Sequence, residues 1–170
     1  MKGLLAHPII RLFVSIGACI VAGCISAFFI FFQSSAWFST LEQPSFLPQN
    51  LLLILIVMFV YLLLGFTLYL LWQTSKVYEV DKKLCIALLF FTIILLNAWV
   101  YMFFGLESPI MGILMGALAV ATLIATMVQS VRVSFGATLI LFMLVILIFI
   151  AAYANYVILE INPSLQVFGT

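Results

Sequence analysis

The side chains able to do chemistry are few and scattered. One histidine, His7, stands near the N-terminus, and Cys19, Cys24 and Cys85 make no CxxC or Cys/His spacing with it or with each other. A metal site needs three or four converging ligands, so no metal or cofactor is expected. The cysteines read as small buried hydrophobes. No Ser/His/Asp or Cys/His set is present for nucleophilic catalysis, and no enzymatic activity is expected. Two amides, Asn97 and Asn155, lie deep in apolar sequence and must find partners on neighbouring helices or in a polar cavity. As links between membrane helices they contribute about 0.6 kcal/mol each; the sharper alternative is contact with a ligand. Tyr61, Trp99, Tyr101 and Tyr153 each carry one polar atom on a large apolar body, which suits packing or a flat aromatic ligand.

The frame that holds these residues is a membrane frame. Hydrophobic residues make up 68% of the 170 and charged residues 6%, against about 45–50% and about 25% in soluble domains. That excludes an ordinary soluble enzyme, a disordered tail and a nucleic-acid binder, which needs a basic footprint. Apolar stretches at 12–32, 51–72, 84–104, 110–128 and 135–159 are each long enough to cross a bilayer. Period-2 alternation is absent, and helices satisfy their own peptide groups in lipid. The expected fold is therefore all-α, a single domain over 1–170 built as a five-transmembrane-helix bundle.

Five spans place Lys2, Arg11, Lys76, Lys82, Lys83 and Arg132 on the face of the N-terminus, and Glu42, Glu107 and Glu160 on the other. The positive-inside bias then puts the N-terminus in the cytoplasm. No charge falls at mid-helix, where ion coupling or proton relay would need one, which counts against a pump. The connection 33–50 holds Trp37, Phe38, Pro44, Phe46 and Pro48, a composition for a folded-back lid or for a segment resting among lipid headgroups. The connection 74–83 is plain, polar and charged. Lys2 and Arg11 before an apolar run resemble a signal peptide, with Val21-Ala22-Gly23-Cys24 as a small-residue site. Cleavage there would strand 25–32 as a stub too short to span, so a retained helix is expected. Gly112 and Gly116 form GxxxG, and Cys19/Gly23 with Ala18/Ala22 give small-xxx-small, for a homodimer or for packing within one chain.

Taken in order, the motifs resemble the TspO/MBR family, the tryptophan-rich sensory proteins and the mitochondrial translocator protein. Residues 37–48, WFSTLEQPSFLP, look like the family's WYxxLxKPxFxPP signature. Tyr61 to Gly65 with Tyr69 and Trp72 match a second-helix pattern, and Trp99 with Phe103-Phe104-Gly105 a third-helix one. Ala125-Thr126, Arg132 and Ser134 fit the end of the fourth helix. Ala151, Asn155-Tyr156 and Asn162 fit the family's ending. The resemblance implies a cavity among the helices, beneath the first loop, for a porphyrin, another tetrapyrrole or a lipid such as a sterol. The residues it implies for binding are Trp37, Pro44, Phe46, Tyr61, Asn97, Trp99, Phe103, Ala151 and Asn155.

Departures bear on what would fit there. Leu51, Leu55 and Val57 stand at the family's Trp, Pro and Trp, and Leu139, Met143-Leu144 and Leu147 replace Trp, Pro-Tyr and Trp. Such changes remove stacking faces and indole donors, so porphyrin breakdown does not carry over. Asn97 precedes Trp99 by two residues rather than three, about 100° off the family's face. Glu160 replaces the basic residue of the cholesterol motif around Tyr156. Three functions stay open: a binding or sensory receptor for an apolar ligand, a transporter of that ligand, and a structural partner whose pocket has decayed. Brevity and the lack of a targeting segment point to a bacterial cell membrane.

Overall fold

A computed structural model describes residues 7–33, 37–48, 50–74 and 79–166. Lys2 and Lys76, and parts of both connections considered above, lie outside the described residues. The helices are α1 (Pro8–Gln33), α2 (Asn50–Gln73), α3 (Glu79–Val100), α4 (Pro109–Ser130) and α5 (Phe135–Ile161). All five are long and apolar enough to cross a membrane, and the protein is a multi-pass integral membrane bundle. α3 begins a turn earlier than hydropathy alone suggests. Glu79 and Asp81 occupy its first turn, where carboxylates suit the helix dipole. Glu79 also pairs with Lys82 at 2.9 Å and Lys83 at 3.5 Å.

The helices close a ring in the order α1, α2, α5, α4, α3 and back to α1. Lipid is as apolar as leucine, so close approach and dispersion hold such a ring together more than hydrophobic transfer. Close approach is visible at the glycines. A Cβ at Gly65 would lie 2.8 Å from Ile16 Cα, and one at Gly23 would lie 2.9 Å from the Tyr61 ring. α1 and α2 thus touch along Cys19, Gly23 and Ser26 on one side and Tyr61 and Gly65 on the other. Large side chains such as Phe13, Leu51 and Phe135 point outward as the lipid-facing surface.

The two ends of the ring differ. Toward the end that carries the α1 N-terminus, here end A, Leu64, Leu71, Cys85, Leu89, Leu123, Ala137 and Leu141 are fully buried in a dense core. Arg11, Lys82, Lys83 and Arg132 lie at end A, and Glu42, Glu107 and Glu160 at the opposite end B. Polar links cross between helices: Gln129 donates to Asp81 at 2.9 Å, and the Ser130 and Thr138 hydroxyls meet at 2.8 Å. The end-B half is built otherwise and holds the candidate site.

Candidate functional site

Between α2, α3 and α5, on the end-B side, lies a cavity of about 240 Å³. Each wall is one helical stripe: Leu53, Ile56, Val57, Val60 and Tyr61 on α2, and Leu147, Ile150, Ala151, Ala154 and Ile158 on α5. The spacing of three and four residues is what one face of a helix presents. α1 contributes Ile30, and Phe38, Phe46, Leu47 and Pro48 of the first loop close the top.

The α3 wall contains the feature the sequence hid. After Val100 the helix widens into a π turn over Tyr101–Gly105, with Leu106 N donating to Tyr101 O at 2.9 Å and Ser108 N to Met102 O at 3.1 Å. The wider turn keeps two consecutive rings, Phe103 and Phe104, buried on the inner face beside Trp99. Such turns recur at functional sites. Glu107 then takes φ of 53° as the chain reverses, and Ser108 caps α4 by accepting from Met111 N at 3.5 Å.

Gly112 and Gly116 of α4 back this wall. A Cβ at Gly116 would lie 3.1 Å from the Trp99 indole, and one at Gly112 2.7 Å from the end of the Asn155 amide. The GxxxG face is therefore spent inside one chain, and it is not exposed for a dimer. With its amide oxygen turned to the available donors, Asn155 accepts from Trp99 Nε1 at 3.1 Å and from Ile113 N at 3.2 Å. This bridge ties α3, α4 and α5 together and sets the Trp99 ring in the wall.

The loop 37–48 is a folded lid. Phe38 is buried with its ring edge-on to Phe104 at 5.3 Å and Phe103 at 6.0 Å. Gln43 donates to Phe38 O at 2.9 Å. From the far end of α5, Asn162 grips the lid backbone, accepting from Glu42 N at 3.0 Å and donating to Glu42 O at 3.0 Å. It also bonds to Ile158 O at 2.8 Å. Asn162→Ala should free both Glu42 groups at a cost of about 1–3 kcal/mol. Amide exchange at Glu42 and protease cleavage within 37–48 should then accelerate while the helices stay protected; unchanged exchange would show that the rings alone hold the lid.

The sequence pattern of the TspO/MBR family matches residues 15–161. The chain belongs to that family. A relative named Tryptophan-rich protein TspO, from Chlorobaculum tepidum, is 30% identical over 157 residues, covering 91% of this chain and 98% of that one. A protein of the same name from Archaeoglobus fulgidus is 32% identical over 106 residues, 62% of this chain and 67% of its own.

Of the residues that the TspO/MBR resemblance implies, Phe46, Tyr61, Trp99, Phe103, Ala151 and Asn155 line this cavity. Trp37, Pro44 and Asn97 do not line it. Trp37 stands behind the wall, its ring edge-on to Phe103 at 5.8 Å. Pro44 works through its carbonyl, which takes the Leu47 N–H at 2.9 Å and folds the turn that sets Phe46, Leu47 and Pro48 over the cavity. Asn97 is rotated about 200° from Trp99 by its two-residue offset. It faces α1, accepting from Ser26 Oγ at 3.1 Å and donating to Ile93 O at 3.0 Å. Ser26 is also 3.0 Å from the Tyr61 hydroxyl, so Asn97 belongs to a three-helix polar link.

The replaced aromatic positions divide in the same way. Val57 and Leu147 are on the cavity wall, so those two exchanges reshape it. Leu51, Leu55, Leu139 and Met143 are exposed on the outer surface, and Leu144 is in the end-A core. Wall residues such as Leu53, Ile148 and Ile158 had no signal in the sequence beyond the apolarity they share with every residue around them.

Proposed function

We propose that this TspO/MBR chain is a membrane binding or sensory protein that holds an apolar ligand, a tetrapyrrole or a lipid, in the cavity between α2, α3 and α5, without catalysing a reaction on it. The observation that carries the reading is the cavity itself. Void in a packed protein is costly, roughly 24 cal/mol per Å³ where it is sealed, so an apolar space of about 240 Å³ beneath a folded lid is one that an apolar occupant stabilises. A folded lid pinned by Asn162 and a wall bridged through Asn155 are arrangements that hold a cavity open for an occupant.

Tryptophan emission tests it. Trp99 is in the wall, whereas Trp72 lies at the end-A terminus of α2. A protein retaining Trp99 alone, through Trp37→Phe and Trp72→Phe, should be quenched saturably by a ligand that enters. One retaining only Trp72 should respond linearly and weakly. Linear quenching of both would mean that the ligand merely dissolves in the detergent or lipid.

The same reading places the protein in a cell membrane with end A in the cytoplasm, supported by Arg11, Lys82, Lys83 and Arg132 gathering there. Reporters inserted in the α2–α3 connection and fused after residue 170 should report opposite sides, the first cytoplasmic. The same side for both would contradict that orientation.

A further inference from the structure

The cavity reaches the surface along one seam. At end A, α2 and α5 are in contact: Leu70 Cδ1 lies 3.5 Å from where a Gly136 side chain would begin, and just beyond the helix ends Thr74 Oγ1 donates to Val133 O at 3.4 Å. Toward end B the facing stripes of α2 and α5 line the cavity instead. Three lining residues are also strongly exposed there, Ile56 at 38%, Ile150 at 52% and Phe46 at 52%. Phe46 of the lid stacks on Tyr153 of α5 at 6.2 Å and 18°, making a lip above the opening. Ile56 is about 9 Å and Ile150 about 16 Å along their helices from the end-B termini. That is the depth of lipid chains rather than headgroups.

Among the described residues the wall has no Lys, Arg or His, and its polar groups are the Tyr61 hydroxyl, the Trp99 indole and the Asn155 amide. The Trp99 indole N–H is already given to Asn155. Ser26 donates to Asn97, which leaves the Tyr61 hydroxyl proton for Ser26. The sequence puts no Lys or Arg at end B, where Glu42, Glu107 and Glu160 stand. A carboxylated tetrapyrrole would bring its anions to an apolar wall at the end of the bundle that carries the carboxylates, and a buried unpaired charge is strongly disfavoured. We infer that the occupant is the hydrocarbon chain of a bilayer lipid, entering sideways through the α2–α5 seam under the Phe46–Tyr153 lip. This rests on the reading of the cavity as a ligand site and narrows its ligand class.

The test uses the full chain with Trp99 as its sole tryptophan, reconstituted in phosphatidylcholine vesicles with plain or mid-chain-brominated acyl chains. Trp99 is 9% exposed and lines the cavity, so a bromine inside the cavity meets it directly. The expected result is loss of most Trp99 emission in brominated vesicles, its recovery in Ala154→Phe, and no saturable quenching by protoporphyrin added to plain vesicles. Ile56→Phe with Ile150→Phe, which narrows the seam at its lipid face, should slow the onset of quenching after brominated lipid is introduced. Saturable protoporphyrin quenching, with or without a bromine effect, would overturn the lipid chain and leave the binding reading standing. Silence toward both quenchers would overturn both. Bromine quenching undiminished in Ala154→Phe would show access from outside the cavity, and an unchanged onset in the seam variant would show entry elsewhere; either overturns the inference.

Discussion

Gly65→Ala should destabilise the protein, and Gly17→Ala should leave it unchanged or slightly more stable. The two substitutions are chemically identical and both fall in helix interiors, where alanine is favoured over glycine by about 0.8–1.0 kcal/mol. Packing decides the sign. A Cβ at Gly65 would meet Ile16 Cα at 2.8 Å and Ser15 O at 3.2 Å, both backbone atoms of α1 that cannot swing aside. A Cβ at Gly17 meets nothing within 4 Å. α1 must therefore move away from α2 in Gly65→Ala, a strain of about 1–3 kcal/mol that exceeds the propensity gain. The Ser26–Tyr61 contact at 3.0 Å lies one turn away and should lengthen with it. Thermal unfolding in detergent should show a lower midpoint for Gly65→Ala alone, accompanied by changed Tyr61 absorption. Equal midpoints for the two variants would mean that α1 is held elsewhere.

How far the sequence could be read depended on what each signal has to compete with. Five spans and their common sidedness stand out because a charged residue inside a bilayer is costly and a charged residue outside it is not, so the boundaries write themselves in composition. The family motifs gather at the end of the bundle where the cavity lies, and Trp99, Tyr61 and Asn155 line it because their helical phase matches the stripe they belong to. Asn97 shows the limit of motif matching. Its two-residue offset from Trp99 already put it on another face, and the structure turns it to Ser26. The π turn at Tyr101–Gly105 left no trace, because its extra residue looks like any other in a run of aromatics. The GxxxG of α4 was ambiguous because the same small face serves a neighbour in the chain or a neighbour in the membrane; only the structure distinguishes them, with Trp99 packed so close that a Cβ at Gly116 would lie 3.1 Å from its indole.

Ala154→Phe should abolish saturable ligand binding while leaving the protein as stable as before or more so. Ala154 is buried and lines the cavity wall one turn from Ile158, with the more exposed Ala151 on the same stripe. Overpacking ordinarily costs about 1–3 kcal/mol, but here the added ring has somewhere to go. An engineered cavity of about 150 Å³ accepts benzene, and this one is about 240 Å³. A phenyl group attached at Ala154 therefore replaces void with contacts, recovering part of the cost of the cavity, about 1 kcal/mol or more. Binding and stability should move in opposite directions, which general damage to the bundle cannot imitate, since misfolding lowers both. Ala151→Phe should act alike but less completely, because Ala151 is exposed and a ring there is less confined. The measurements are Trp99 quenching titrations with mid-chain-brominated phosphatidylcholine and unfolding midpoints, on the same delipidated samples. Loss of binding with a lowered midpoint would assign the effect to distortion of the wall, and retained binding with a raised midpoint would place the ligand outside this cavity.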